Sequence, residues 1–212
     1  MNFKKLENVI LKSFFAIAIL TQFFPAVILA QNNEWQLERD KQGIQVYTRK
    51  NNSASNMKDS RAIAVVNSDT KDVLNLLTDF ENHWKWMDRI KISRTIKKIS
   101  ESEFYVYYEA LAPWPVSNRD IVTKYKIKWA QGGKVTLEAI GEPHFIPEKS
   151  GLVRVPESVS SWELTPLSSG KVQIVFTNHS DPGGSIPDWL ANVTATDNPY
   201  NTLLKLKEQV EK

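Results

Sequence analysis

The charged residues best placed to act on a bound molecule are Arg94 and the adjacent pair Arg119 and Asp120. Ile90, Ile92 and Ile96 alternate along one face of a predicted strand, and the same count sets the Arg94 guanidinium among them on the inner side. An unpaired charge in such surroundings is costly, so Arg94 needs Glu109, Asp120 or a ligand phosphate as its partner. A bulge in the strand would instead turn Arg94 outward. Arg119 and Asp120 follow the proline-rich stretch Pro113–Asn118 at a strand start, where neighbouring side chains point to opposite faces. Either they anchor that loop through backbone carbonyls and N–H groups, or they meet a ligand directly.

Trp114 stands between Pro113 and Pro115 with no evident core duty, which suits a membrane interface or the closure of a cavity. Trp129 and Trp162 lie on predicted strands, as core or as ligand wall. All seven tryptophans fall after residue 30, and large aromatic rings in such number line apolar pockets well. His83, His144 and His179 show neither metal-ligand nor triad spacing, so structural roles are the default. His144 alone sits on a segment, 142–147, that could cover a cavity. The spacing indicates no metal site, and no cofactor is implied.

These residues need a scaffold. Residues 181–184 have strong turn chemistry, Ser185 is a good N-cap, and Asp188 completes a capping-box spacing with Pro187 in the first turn. Ile186, Leu190, Val193, Tyr200, Leu203 and Val210 then form one apolar stripe of a long terminal helix. Thr196, Asp197 and Pro199 interrupt it, predicting either a bend between two halves or a polar patch facing a cavity.

Ahead of this helix the chain reads mostly as strands: 43–49, 57–67 after a 51–56 connection, then an antiparallel series from Ile90 with tight turns at 131–134 and 167–171. Asp69 and Asp72 cap a short helix carrying Val73, Leu74, Leu77 and Phe80, and residues 81–87 read as an irregular turn with rings packed down. The economical arrangement is α+β, a curved antiparallel sheet wrapped around the terminal helix.

Lys4, Lys5 and Lys12 precede an apolar run ending at Ala30, the pattern of a signal peptide over residues 1–30, with residues 31–212 as one secreted or periplasmic domain. The net charge of +3 includes three lysines and one glutamate from that segment, leaving +1, a balance that argues against a nucleic-acid partner. With no cysteine in the chain, burial rather than disulfides must hold it together.

Three stretches, Gly43–Arg49, Pro113–Asp120 and Asp181–Asn192, occur in order and together resemble the START family, the steroidogenic acute regulatory protein-related lipid transfer domains, and within it the phosphatidylcholine transfer branch. The resemblance covers essentially all of Glu34–Lys212. It implies a helix-grip fold with an internal hydrophobic tunnel for one lipid, an omega loop over 112–118, and a lid formed by 141–156 with the final helix. It also implies that Glu109 is the acidic residue facing the tunnel. The family's basic counterpart falls on Tyr125 here, which leaves the usual buried ion pair without its cation.

The resulting expectation is a non-enzymatic carrier of a lipid or sterol-like hydrophobic ligand, with transient membrane contact. A helix-grip enzyme using His144, Glu109 and Arg94 for acid–base work is the alternative.

Overall fold

The computed structural model describes residues 34–50, 57–168, 170–184 and 186–212. The expected signal peptide, the 51–56 connection and the Ser185 cap lie outside the described residues. Strands β1 (Gln36–Lys41) and β2 (Ile44–Arg49) form a hairpin whose two turn residues, Gln42 and Gly43, both have positive φ, 54° and 74°. Such a turn matches the natural twist of paired strands, and glycine adopts it freely. The sequence reading missed β1. Its residues are nearly all polar and mostly exposed, as befits an edge strand, so no alternation marks it.

β3 (Asp59–Val66) leads into α1 (Thr70–Thr78), where the Asp69 carboxylate accepts the Asp72 N–H at 2.8 Å, as its spacing predicts. Val73 and Leu77 are the buried face of this helix. A 3-10 turn over Phe80–Lys85 follows, then β4 (Ile90–Lys98), β5 (Glu103–Ala110), β6 (Arg119–Trp129) and β7 (Val135–Gly141). β8 (Val153–Arg154), β9 (Glu157–Leu167), β10 (Lys171–Asp181) and α2 (Asp188–Val210) complete the chain.

The sheet has ten strands in the order β1-β2-β3-β10-β9-β7-β6-β5-β4. Every pairing along that path is antiparallel. The short β8, which lies off it, runs parallel beside the start of β6. Along its inner face, α2 lies against β2 and β3. Ala62 and Ala64 of β3 are small enough to let the helix approach, and Leu203 and Leu206 are fully buried against the sheet. This is the helix-grip architecture.

α2 begins later than its capping signals suggest. Pro187 occupies the N-cap position and Asp188 is the first helical residue, so Asp188 is not the third residue of a box opened at Ser185. The helix then runs as one element through Pro199. The two polar residues of its interruption face β1 and β2 rather than the interior cavity. Asp197 receives a hydrogen bond from Arg39 of β1 at 2.6 Å, and Thr196 lines a polar groove with Glu38 and Thr48. Thr194 and Asn198 face the interior instead.

Candidate functional site

Inside the sheet, one end is solid. Phe80, Trp86, Tyr108, Tyr125 and Trp162 are all at most 5% exposed and pack ring to ring. His83 is the polar centre of this cluster. Its Nε2–H donates to the Leu77 carbonyl at 3.1 Å, which leaves Nδ1 to accept from the Tyr108 hydroxyl at 2.9 Å. The Tyr108 oxygen in turn accepts from the Tyr125 hydroxyl at 2.9 Å. Burial pushes the His83 pKa down to about 4 and that of Tyr125 up to about 12, and it raises Tyr108 as well. Each shift disfavours the charged form, so this end is a neutral, hydrogen-bonded plug.

The other end is hollow. A cavity of about 230 Å³ lies between α2, the starts of β3, β6 and β9, the ends of β5 and β10, and the loops at 87–90 and 111–113. Met57, Met87, Ile90, Ile121, Phe176 and Leu190 supply apolar wall. Trp162 does not reach the cavity; it stacks behind Phe176 at 4.1 Å and supports that wall from the solid end. Four charged side chains line the space, namely Lys58, Asp88, Arg89 and Arg119.

Of the candidate ligand-contacting residues read from the sequence, Arg119 alone borders this cavity. Its guanidinium is largely committed to the backbone, donating to the carbonyls of Ser117, Pro182 (3.4 Å) and Gly183 (3.1 Å). It thereby ties the 112–118 loop to the turn ahead of α2. On that loop Trp114 is 90% exposed, and neighbouring Leu111 is half exposed.

A START domain family model matches residues 20–199. The chain belongs to the START domain family. It is 31% identical to an uncharacterized protein of Pseudomonas aeruginosa over 84% of this chain and 88% of that one. The phosphatidylcholine transfer protein of Rattus norvegicus is 28% identical over 76% of this chain and 77% of its own. Among solved structures, a STAR-related lipid transfer protein fragment from Xanthomonas axonopodis superposes with a TM-score of 0.77 at 34% identity, covering 84% of this chain and 99% of that one.

Within this START fold, several residues expected at the tunnel lie on the convex side of the sheet. Register shifts between Ile90 and Ile92 and between Thr95 and Lys97 interrupt β4. The first brings Ser93 to the inner face opposite Tyr108 and sets Arg94 opposite Tyr107, where its guanidinium lies 5.2 Å from that outer ring. Arg94 is therefore exposed and cannot reach the cavity. Glu109 shares the outer face with Tyr107, accepting from Lys91 Nζ at 2.7 Å and Asn118 Nδ2 at 3.4 Å. It does not face the interior.

Asp120 is outward too and fully buried. Arg154 grips it from two sides, Nε to Oδ1 at 2.9 Å and Nη2 to Oδ2 at 2.8 Å, which raises the Arg154 pKa. The same guanidinium donates to the carbonyls of Pro143, Ile146 (3.0 Å) and Pro147 (3.2 Å). Phe145 stacks on Tyr105 at 3.8 Å. The 142–152 segment is thus strapped to the convex face, and of the stretch expected as a lid only Val155 lines the cavity. His144, on that strap, is exposed. Tyr125 belongs to the plug, and Trp129 is 61% exposed at the far end of β6.

The residues that sequence reasoning missed come from loops, from the ends of strands and from the inner face of α2. Arg89 is the foremost. It has φ of +58°, and its buried Nε has no hydrogen-bond partner among the described residues. Asn198 Oδ1 is likewise buried and unpartnered. The only local sign of the latter was an asparagine ahead of Pro199 within a helical pattern.

Proposed function

We propose that the chain holds one lipid or similar hydrophobic molecule in this cavity and carries it between membrane surfaces outside the cytoplasm, without altering it. The observation that carries the reading is the largely apolar cavity beside an exposed tryptophan loop. Removing a chain of ~16 carbons from a bilayer forfeits roughly 13 kcal/mol at ~0.8 per methylene. Hydrogen bonds yielding about 1 kcal/mol each could not offset that, whereas apolar walls can. The similarity to the rat phosphatidylcholine transfer protein supports the same reading.

Position argues against the enzymatic alternative. His144, Glu109 and Arg94, the groups that would do acid–base work, lie outside the cavity, and no histidine lines it among the described residues. A bilayer contact through Trp114 would set the cavity, whose wall includes Ala112 and Pro113, directly against its source of ligand.

The test is purification without detergent, followed by native mass spectrometry and lipid extraction. A single intact hydrophobic molecule at near-unit occupancy is expected, on a chain whose N-terminus has been cut near Gln31. A protein that is empty as isolated and takes up no fluorescent fatty acid would refute carriage. Steady conversion of an added lipid would favour catalysis.

A further inference from the structure

The cavity's three cations are not equivalent. Lys58 is held by Glu38 at 3.1 Å. Arg119 gives its guanidinium to three backbone carbonyls. Arg89 has only its neighbour Asp88, with Nε 3.9 Å from the carboxylate, beyond hydrogen-bonding distance. Asp88 is already engaged, taking Lys205 Nζ at 3.1 Å and Asn201 Nδ2 at 3.5 Å from α2. The Arg89 guanidinium therefore lines the cavity sharing its nearest carboxylate with Lys205, and its Nε–H is unsatisfied among the described residues.

The backbone holds Arg89 in place. Its carbonyl accepts the Leu111 N–H at 2.8 Å, and the Asp88 N–H donates to Thr202 Oγ1 at 3.1 Å. These bonds fasten the loop to β5's end on one side and to α2 on the other, around a left-handed φ that a residue with a side chain rarely adopts. Such a residue is retained where its surroundings over-determine it, and such positions cluster at binding sites. The Arg89 side chain is 35% exposed, which places it at the rim rather than at the apolar floor.

We propose that the ligand is a single-chain amphiphile with an anionic head, a carboxylate or a phosphate monoester, whose head is bound by Arg89 at the cavity rim and whose tail runs inward along Ile121, Phe176 and Leu190. Three considerations select this class. The lining cations outnumber the lining carboxylate by three to one, so the field at the rim favours an anion. A guanidinium offers two parallel N–H donors that match carboxylate and phosphate oxygens. The volume of about 230 Å³ is below the range of roughly 300–1,000 Å³ usual for drug-sized ligands, which favours one chain over two and leaves part of a long tail at the open rim.

This inference rests on carriage as proposed above, and the experiment separates the two. Tryptophan fluorescence titrations of the purified protein use palmitate, hexadecyl phosphate and the uncharged hexadecanol as probes. The wild type should bind at least one of the two anions ten-fold or more tightly than hexadecanol, and whichever anion is preferred identifies the head. Arg89→Asn removes the charge while suiting the left-handed backbone, and should abolish that preference while leaving hexadecanol affinity within two-fold. Arg94→Gln, on the convex face, should change nothing. Hexadecanol binding as tightly as both anions, or a preference that survives Arg89→Asn or is lost in Arg94→Gln, overturns the head-group assignment and leaves carriage standing. Failure of all three probes to bind the wild type overturns the head-group assignment, and overturns carriage as well if the protein is also empty as isolated.

Discussion

At one end of the interior Phe80 packs 4.7 Å from the Tyr125 ring and 5.2 Å from Phe104, with His83 neutral among them; at the other, the same strands β5 and β6 stand around a cavity of about 230 Å³. At the solid end the hydroxyls of Tyr108 and Tyr125 and both nitrogens of His83 are hydrogen-bonded. At the hollow end Arg89 Nε and Asn198 Oδ1 are buried without partners among the described residues. Trp86 Nε1 is also buried without a partner among the described residues, so it is space rather than unsatisfied polarity that separates the two ends. One end is closed by packed rings, while the other has room for something to enter.

The difference can be broken by truncation. Phe80→Ala at the solid end should cost about 3–5 kcal/mol, because its neighbours are fixed on every side and cannot collapse into the space. Leu190→Ala at the cavity should cost less, about 2 kcal/mol, since the leucine already lacks packing partners on one side. Urea unfolding of the two variants measures both, and equal losses would mean that the ends are equally packed.

Acid sharpens the same contrast. His83 has a folded pKa of about 4 against 6.5 when free, so the unfolded chain takes up the proton first as pH falls. The stability that neutral His83 supports is complete above about pH 6.5 and is lost progressively down to pH 4, to the extent of about 3 kcal/mol. A plot of unfolding free energy against pH should show this slope, and His83→Gln should flatten it. At the hollow end, Trp114→Ala should be nearly silent in stability, within about 0.5 kcal/mol. It should nonetheless reduce co-sedimentation with phosphatidylcholine vesicles several-fold.

Much of the architecture was legible because it follows from local rules. Asp69 capped α1 as its spacing required, and β2, β3 and the later strands announced themselves by alternation. Family resemblance supplied the grip. Yet that resemblance misdirected one site residue which alternation would have placed correctly. With Phe104, Val106 and Tyr108 on the inner face, Glu109 must point outward, and it does. Arg94 was left open for the opposite reason. Strict alternation put it inside, and the alternative of a bulge turning it outward is what the irregular register of β4 shows, a choice that no residue type announces.

By itself the sequence determined both helices and most of the strands, the family and the anchoring role open to Arg119, since these depend on periodicity, capping and a motif within one stretch of chain. Tertiary structure decided where space is left over, because a void belongs to no segment and results from how far α2 stands from strands more than a hundred residues away. It likewise decided that Asp120 and Arg154 strap the 142–152 segment to the convex face, and that Arg89 faces a cavity with its Nε–H unsatisfied and its nearest carboxylate shared with Lys205.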